Sequence, residues 1–211
     1  MADKRRISIT EALVELKLYD SKITKTISSA QFVGAHKKSS DKVGAFNKDT
    51  FETLAKSGYQ SSWDLIKNRE ALKAAIAQSN SVTEVEIGGQ KYTVVEAIER
   101  KNSIGYYKYL LDEMKSQWGQ AVITVDKENK KVDAQVDRML EGFLGKDSDK
   151  KVSEMDLATI SDPYRIRNEW ELVDPINTYD KIQKLEEMIN TFEAEVDVRL
   201  SISNSITYIE I

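Results

Sequence analysis

The sequence predicts a mainly α protein, a long-helix antiparallel bundle with coiled-coil seams and a small three-stranded antiparallel sheet at one end. Three observations predict it. Apolar residues recur at alternating steps of three and four over long stretches, the signature of helices that pack along a seam. Only two prolines occur in 211 residues, so few helix breakers interrupt those stretches. A nine-residue segment also occurs twice, Ser79-Asn80-Ser81-Val82-Thr83-Glu84-Val85-Glu86-Ile87 and Ser203-Asn204-Ser205-Ile206-Thr207-Tyr208-Ile209-Glu210-Ile211, with six identities and two Val/Ile exchanges. Each copy follows an amphipathic stretch, so the repeated unit reads as helix, polar stop and short strand.

In chain order, Ser8 followed by Glu11 forms a capping box, in which each side chain satisfies an orphan backbone donor of the other. The first helix therefore begins near Ile9, and Ile9, Leu13, Leu16, Ile23, Ile27 and Ala30 form its seam, broken by Asp20. Lys37, Lys38, Ser39, Ser40 and Gly44 read as loop. Lys48 to Lys56, with Phe51 and Leu54, reads as a short helix ended by Gly58. Trp63, Ile66, Leu72 and Ile76 place a second helix over about residues 61–79, closed by the first Ser-Asn-Ser because Asn tolerates the left-handed conformation of a helix stop. Thr83, Val85 and Ile87 alternate with acids, Gly88-Gly89 permits a tight turn, and Tyr92 and Val94 resume the alternation, which makes a β-hairpin. Thr93 and Glu96 form another capping box, opening a third helix with a seam of Ala97, Ile104, Tyr107, Leu111, Met114 and Trp118.

Residues 119–171 are less regular and read as an insertion: Ala121 to Val125 as an extended piece, Val132, Val136, Leu140 and Phe143 as a short amphipathic helix, Gly145 to Lys151 as a charged loop. Asp174 reads as the N-cap and Pro175 as the first residue of the final helix, where a missing donor costs nothing. Ile182, Leu185, Ile189, Phe192 and Val196 then mark a helix of roughly 28 residues. The C-terminal strand is expected to join the hairpin in the three-stranded sheet. The whole, 1–211, is read as a single domain with its helical core at about 7–30, 61–118 and 172–211.

Composition narrows the function. A net charge of −4 argues against a nucleic-acid partner, which needs clustered Lys and Arg in excess. The absence of cysteine excludes thiol nucleophiles, thiolate metal sites and disulfides. The first residues, Met1-Ala2-Asp3-Lys4-Arg5-Arg6, are not followed by an apolar signal core, and no apolar run is long enough for a transmembrane segment, so synthesis in the cytoplasm of the producing cell is expected.

Catalytic chemistry has little to build on. His36 is the one histidine and sits in a Lys-rich loop, the setting of a solvated imidazole. Asp147, Asp149, Glu154 and Asp156 lack the alternation and closing Glu of a calcium loop. Gly88-Gly89 lacks the Lys and Ser/Thr of a phosphate loop, and the paired acids Glu84/Glu86 and Glu186/Glu187 read as solvated faces. No catalytic, cofactor-binding or metal-ligating residue is assigned, and no enzyme is expected. Tyr106 and Tyr109 fall off the third seam and are candidate partner contacts. Tyr208 and Ile209 join them, because a terminal strand can add to a neighbour's sheet.

The run Ser8-Ile9-Thr10-Glu11-Ala12-Leu13, the segment Ala77-Gln78-Ser79-Asn80-Ser81, the hairpin from Val85 to Val94 with Glu96-Ala97-Ile98-Glu99-Arg100, and the closing helix from Val173-Asp174 to Ser203-Asn204-Ser205 carry a resemblance. In these, over about residues 7–30, 65–118 and 172–211, the chain resembles the small septicolysin-like helical proteins and uncharacterised phage-encoded proteins that open with the same motif and lie among virion genes. It departs from the compact members through the insertion at 119–171. The phage branch implies a noncatalytic bacteriophage virion structural or assembly protein, a head, neck or tail component that meets other virion proteins or itself as a homo-oligomer. Its location would be the host cytoplasm when made, then the virion. The other branch implies a membrane-active, pore-forming protein, which needs amphipathic faces free to enter lipid.

Overall fold

The computed structural model describes residues 5–144, Met155 and 157–211. The described elements are β1 (Arg6–Ser8), α1 (Ile9–Ser29), β2 (Lys42–Val43), β3 (Phe46–Asn47), α2 (Lys48–Val82), β4 (Glu84–Ile87), β5 (Gln90–Thr93), α3 (Val94–Leu144), a π-helical turn (Leu157–Ser161), α4 (Asp162–Asn168), α5 (Thr178–Ile206) and β6 (Tyr208–Glu210). The mainly α class therefore holds. The chain divides into two compact units, Met1–Asn102 with Thr191–Ile211, and Ser103–Asn190.

In the first unit α1 packs against α2 along a heptad seam that keeps the expected Ile9, Leu16, Ile23 and Ala30 but takes Ala12 and Thr26 in place of Leu13 and Ile27. Ile9, Ala12 and Leu16 are buried, with Tyr19 half-buried, whereas Leu13 and Ile27 are exposed. Ala12 replaces the larger Leu13 because a small side chain lets the facing helix approach. Asp20 flanks the seam and pairs with Arg69 of α2 at 2.5 Å. On α2 the inward positions include Phe51, Ser62, Leu72 and Ile76, so Trp63 lies outside the seam at 47% exposure. Gly58 does not end a helix. It lies within one continuous helix of 35 residues, and a Cβ there would stand 3.2 Å from that of Ala30.

The three-stranded sheet is not formed. Among the described residues there are three separate two-stranded ladders, β1·β6, β2·β3 and β4·β5. The C-terminal strand pairs with β1, a segment too short to show alternation in the sequence. The hairpin does form, with Gly88 and Gly89 at φ of 58° and 73°, the left-handed region a two-residue turn requires.

The β1·β6 and β4·β5 ladders share one design. Ser8 lies opposite Tyr208, Ile7 opposite Ile209 and Arg6 opposite Glu210. Thr93 lies opposite Glu84, Tyr92 opposite Val85 and Lys91 opposite Glu86. The repeated segments thus occupy equivalent strands, β4 and β6. Each partner strand runs directly into a capped helix: Ser8 N–H donates to Glu11 Oε2 at 2.8 Å while Glu11 N–H donates to Ser8 Oγ at 3.2 Å, and the Thr93–Glu96 pair gives 2.7 and 3.2 Å. The next amide closes each joint. Ile9 N–H donates to Thr207 O and Val94 N–H to Thr83 O, both at 2.9 Å.

The helices run through both Ser-Asn-Ser segments, to Val82 and Ile206, so neither Asn is a left-handed stop. Helix exit comes instead at an extended Thr, whose N–H donates to the Ser four residues back, Ser79 O or Ser203 O, at 3.0 Å in both cases. The two joints also interlock. Ile7, Ile9 and Ile209 pack on Leu72 and Ile76 of α2, the helix that feeds the other ladder. Tyr92 of that other ladder meets Phe192 of α5 edge-on at 6.0 Å, and Gly88 N–H donates to Glu195 at 3.2 Å.

In the second unit α3 and α5 pack antiparallel along the expected seams. Leu111, Ile182 and Ile189 are buried, with Ile104, Tyr107, Met114, Trp118, Leu185 and Met188 against them. Lys115–Glu186 at 2.6 Å and Trp118 against Tyr179 fix the register. The region read as an insertion continues α3. Ala121 to Val125 is helical rather than extended, and Val132 and Val136 are buried on the same helix. Asn129 clasps the backbone of Trp170 with two hydrogen bonds, 2.7 and 2.9 Å, and Arg165 of α4 pairs with Asp133 at 2.6 Å. Pro175 is not the first helical residue. It lies in a turn with Ile176, and α5 starts at Thr178, whose N–H and hydroxyl both donate to Asp174. The charged loop from Gly145 to Lys151, with Asp147, Asp149, Glu154 and Asp156, lies outside the described residues.

Ser8→Ala and Thr93→Ala should each cost about 1 kcal/mol of stability in urea unfolding followed by circular dichroism. The hydrogen bonds from Ser8 and Thr93 hold Glu11 and Glu96 below the ordinary carboxylate value of 4.5. A lowered folded-state pKa contributes stability that is full above the unfolded value and is lost as pH falls through the folded one. Urea midpoints should therefore drop below about pH 4.5, and the drop should be shallower in an E11Q/E96Q variant; an unchanged profile would remove the caps from the acid response.

Candidate functional site

The residues free to meet a partner are those the seams leave outside. On α3, Tyr107 and Leu111 turn into the second unit's core, which rotates Tyr106 and Tyr109 away from it by helical spacing. Tyr106 is 80% and Tyr109 68% exposed, and Leu110 beside them is half exposed, so an aromatic-aliphatic triplet at i, i+3 and i+4 shares one helix face.

Tyr208 and Ile209 separate. Tyr208 is exposed on β6, with the Arg6 guanidinium 4.7 Å from its ring centre, a cation–π contact across the ladder. Ile209 is 7% exposed and belongs to the cluster with Ile7, Ile9, Leu72 and Ile76. As a partner contact Ile209 is thus corrected: strand alternation turns it inward, and its side chain is already committed to this chain's own core.

One exposed aromatic surface was not singled out in the sequence. Tyr59 and Trp63 of α2 stack with centroids 6.2 Å apart at 16°, and Lys67 Nζ lies 5.3 Å from the Trp63 ring. Their spacing of four places all three on one helix face, a signal hidden by assigning Trp63 to a seam. Next to it the first unit holds an open apolar cleft of about 560 Å³ lined by Phe32, Val33, Val43, Phe51 and Tyr59. The approach of the loop depends on Gly34, where a Cβ would stand 2.5 Å from Val43 Cγ1 and 2.9 Å from Phe51 Cζ.

His36 lies at the rim of this cleft. Its Nδ1 donates to the carbonyls of Lys37 and Ser40 at 2.9 and 2.7 Å, because two carbonyl oxygens require a donor. The ring therefore ties its own loop. Among the described residues no group of three or more His, Asp or Glu is placed to hold a metal ion. Glu84 pairs with Lys91 across the hairpin and Glu186 with Lys115, roles that keep these acids on solvated surfaces. No described helix is long and apolar enough to cross a membrane.

No family model, curated protein or solved structure matches the chain.

Gly34→Ala should cost about 1 to 3 kcal/mol in urea unfolding, because the exposed loop would press its new Cβ onto the buried Val43 and Phe51. Equal stability of the variant would show that the loop yields without cost.

Proposed function

We propose that this chain is a noncatalytic assembly protein that works through protein–protein contacts, and that its setting is a bacteriophage virion, as a head, neck or tail component. The carrying observation is the outer face of α3. Tyr106, Tyr109 and Leu110 are exposed on a helix whose opposite side already has a complete intramolecular seam. Aromatic residues held on a rigid helix give large contact area at little further entropy cost, which is what interface anchors use. The virion setting is supported by the motif at Ser8 to Leu13 and its resemblance to phage-encoded proteins. The partners are other virion proteins or further copies of the chain.

Measured by sedimentation and light scattering, the purified protein should form a defined oligomer or bind phage particles. Y106S/Y109S should weaken that association at least tenfold while leaving the helical circular dichroism unchanged, the loss expected for removing an interface anchor. A monomer that binds no particle and releases dye from liposomes would replace this reading with the membrane-active one.

A further inference from the structure

The two ladders divide the chain into halves of the same plan. The first half runs from β1 through α1 and α2 to β4; the second runs from β5 through α3 and α5 to β6. Both begin with a strand that enters a capped helix and end with a helix that leaves through Thr into a strand. Neither half pairs its own first and last strands; the short β2·β3 ladder lies within the first half, between α1 and α2. The first strand of each half pairs with the last strand of the other, in matching register, and the closing amides of Ile9 and Val94 bond across in the same way. This is the pattern of an isologous two-fold contact, in which residue i of one partner meets j of the other and j meets i. Here one polypeptide supplies both partners. The whole covalent link between the halves is Gly88-Gly89, the two-residue turn between Ile87 and Gln90.

We infer that the halves also pair in trans, so that a second copy of this chain is a partner through exchange of halves about Gly88-Gly89. Every contact of the β1·β6 and β4·β5 joints is available between copies, because the joints read only which half is offered and not which chain it belongs to. A short hinge favours such exchange, since straightening two residues joins β4 and β5 into one continuous strand. Closure within one chain is favoured at low concentration, because the linked half is present at high effective concentration. Exchange therefore rises with protein concentration, and rises further when the hinge can no longer turn. Gly88 and Gly89 both use positive φ, and a side chain on Gly88 would also stand 3.2 Å from Thr191 Cγ2. Branched residues there oppose the turn but suit an extended strand. The inference concerns the first unit's joints and does not rest on the assembly role proposed above.

The chain contains no cysteine, which makes the test clean. Arg6 and Glu210 face each other next to the hydrogen-bonded Arg5–Ile211 pair, at a non-hydrogen-bonded position where Cα atoms lie about 4.5 Å apart and a disulfide can close. Full-length R6C and E210C chains are mixed, unfolded, refolded together at rising concentration and oxidised, then read by intact mass. The expected result is a covalent R6C–E210C heterodimer that increases with concentration and becomes the main product when both chains also carry G88V/G89V. The double variant R6C/E210C in one chain reports the closed monomer in parallel. An intrachain bond in that variant, with no R6C–E210C heterodimer at any concentration from chains with the native hinge, would overturn the inference whether or not the G88V/G89V chains fold.

Discussion

The pairing of β1 with β6 is the constraint on which the first unit depends. Arg6 and Glu210 face each other although nearly the whole chain lies between them. Closing so long a loop costs about 4 kcal/mol more than closing a two-residue turn, from the logarithmic dependence of loop entropy on length. A ladder of three residue pairs does not offset that by itself. The joint holds because Ile7, Ile9 and Ile209 are buried on Leu72 and Ile76 of α2, while the other joint rests on α5. Each ladder is supported by the helix that feeds its counterpart, so loss of one loosens the platform of the other.

Much of this was legible in the sequence, and the misses share a cause. Capping boxes at Ser8–Glu11 and Thr93–Glu96 are local chemistry, and both form. The seams of α3 and α5 are long and regular, and both pack as their spacing requires. What failed was what the partner decides. The α1 seam moved to Ala12 because closeness to α2 favours a small residue over Leu13, and Gly58 stayed inside a helix because its missing side chain admits Ala30. The duplicated segment did mark two equivalent strands, but their mates could not be read from it. The two capping boxes, each followed by an Ala buried in its helix, were the unread half of the same repeat.

The surfaces follow from this economy. Ile209 is a core residue and not a partner contact, because β1 pairs with β6 and the strand turns Ile209 into the cluster with Leu72 and Ile76. Tyr106 and Tyr109 are exposed because the seam of α3 takes Tyr107 inward and leaves them on the outer face. Tyr59 and Trp63 are likewise exposed because α2 turns Ser62 inward and not its aromatic neighbour. Each of these aromatics is exposed on a helix whose other face is packed within its own unit, which leaves its ring for the contacts proposed above.

The equivalence of the two joints is tested most directly by amide hydrogen exchange at Ile9 and Val94, which donate to Thr207 and Thr83 in matching positions. If the joints share one design and support each other, both amides open only with the fold and exchange with the same free energy as global unfolding. Rapid exchange at Ile9 beside a protected Val94 would contradict the account, leaving a local hairpin and two loosely tethered strands in place of an interlocked pair.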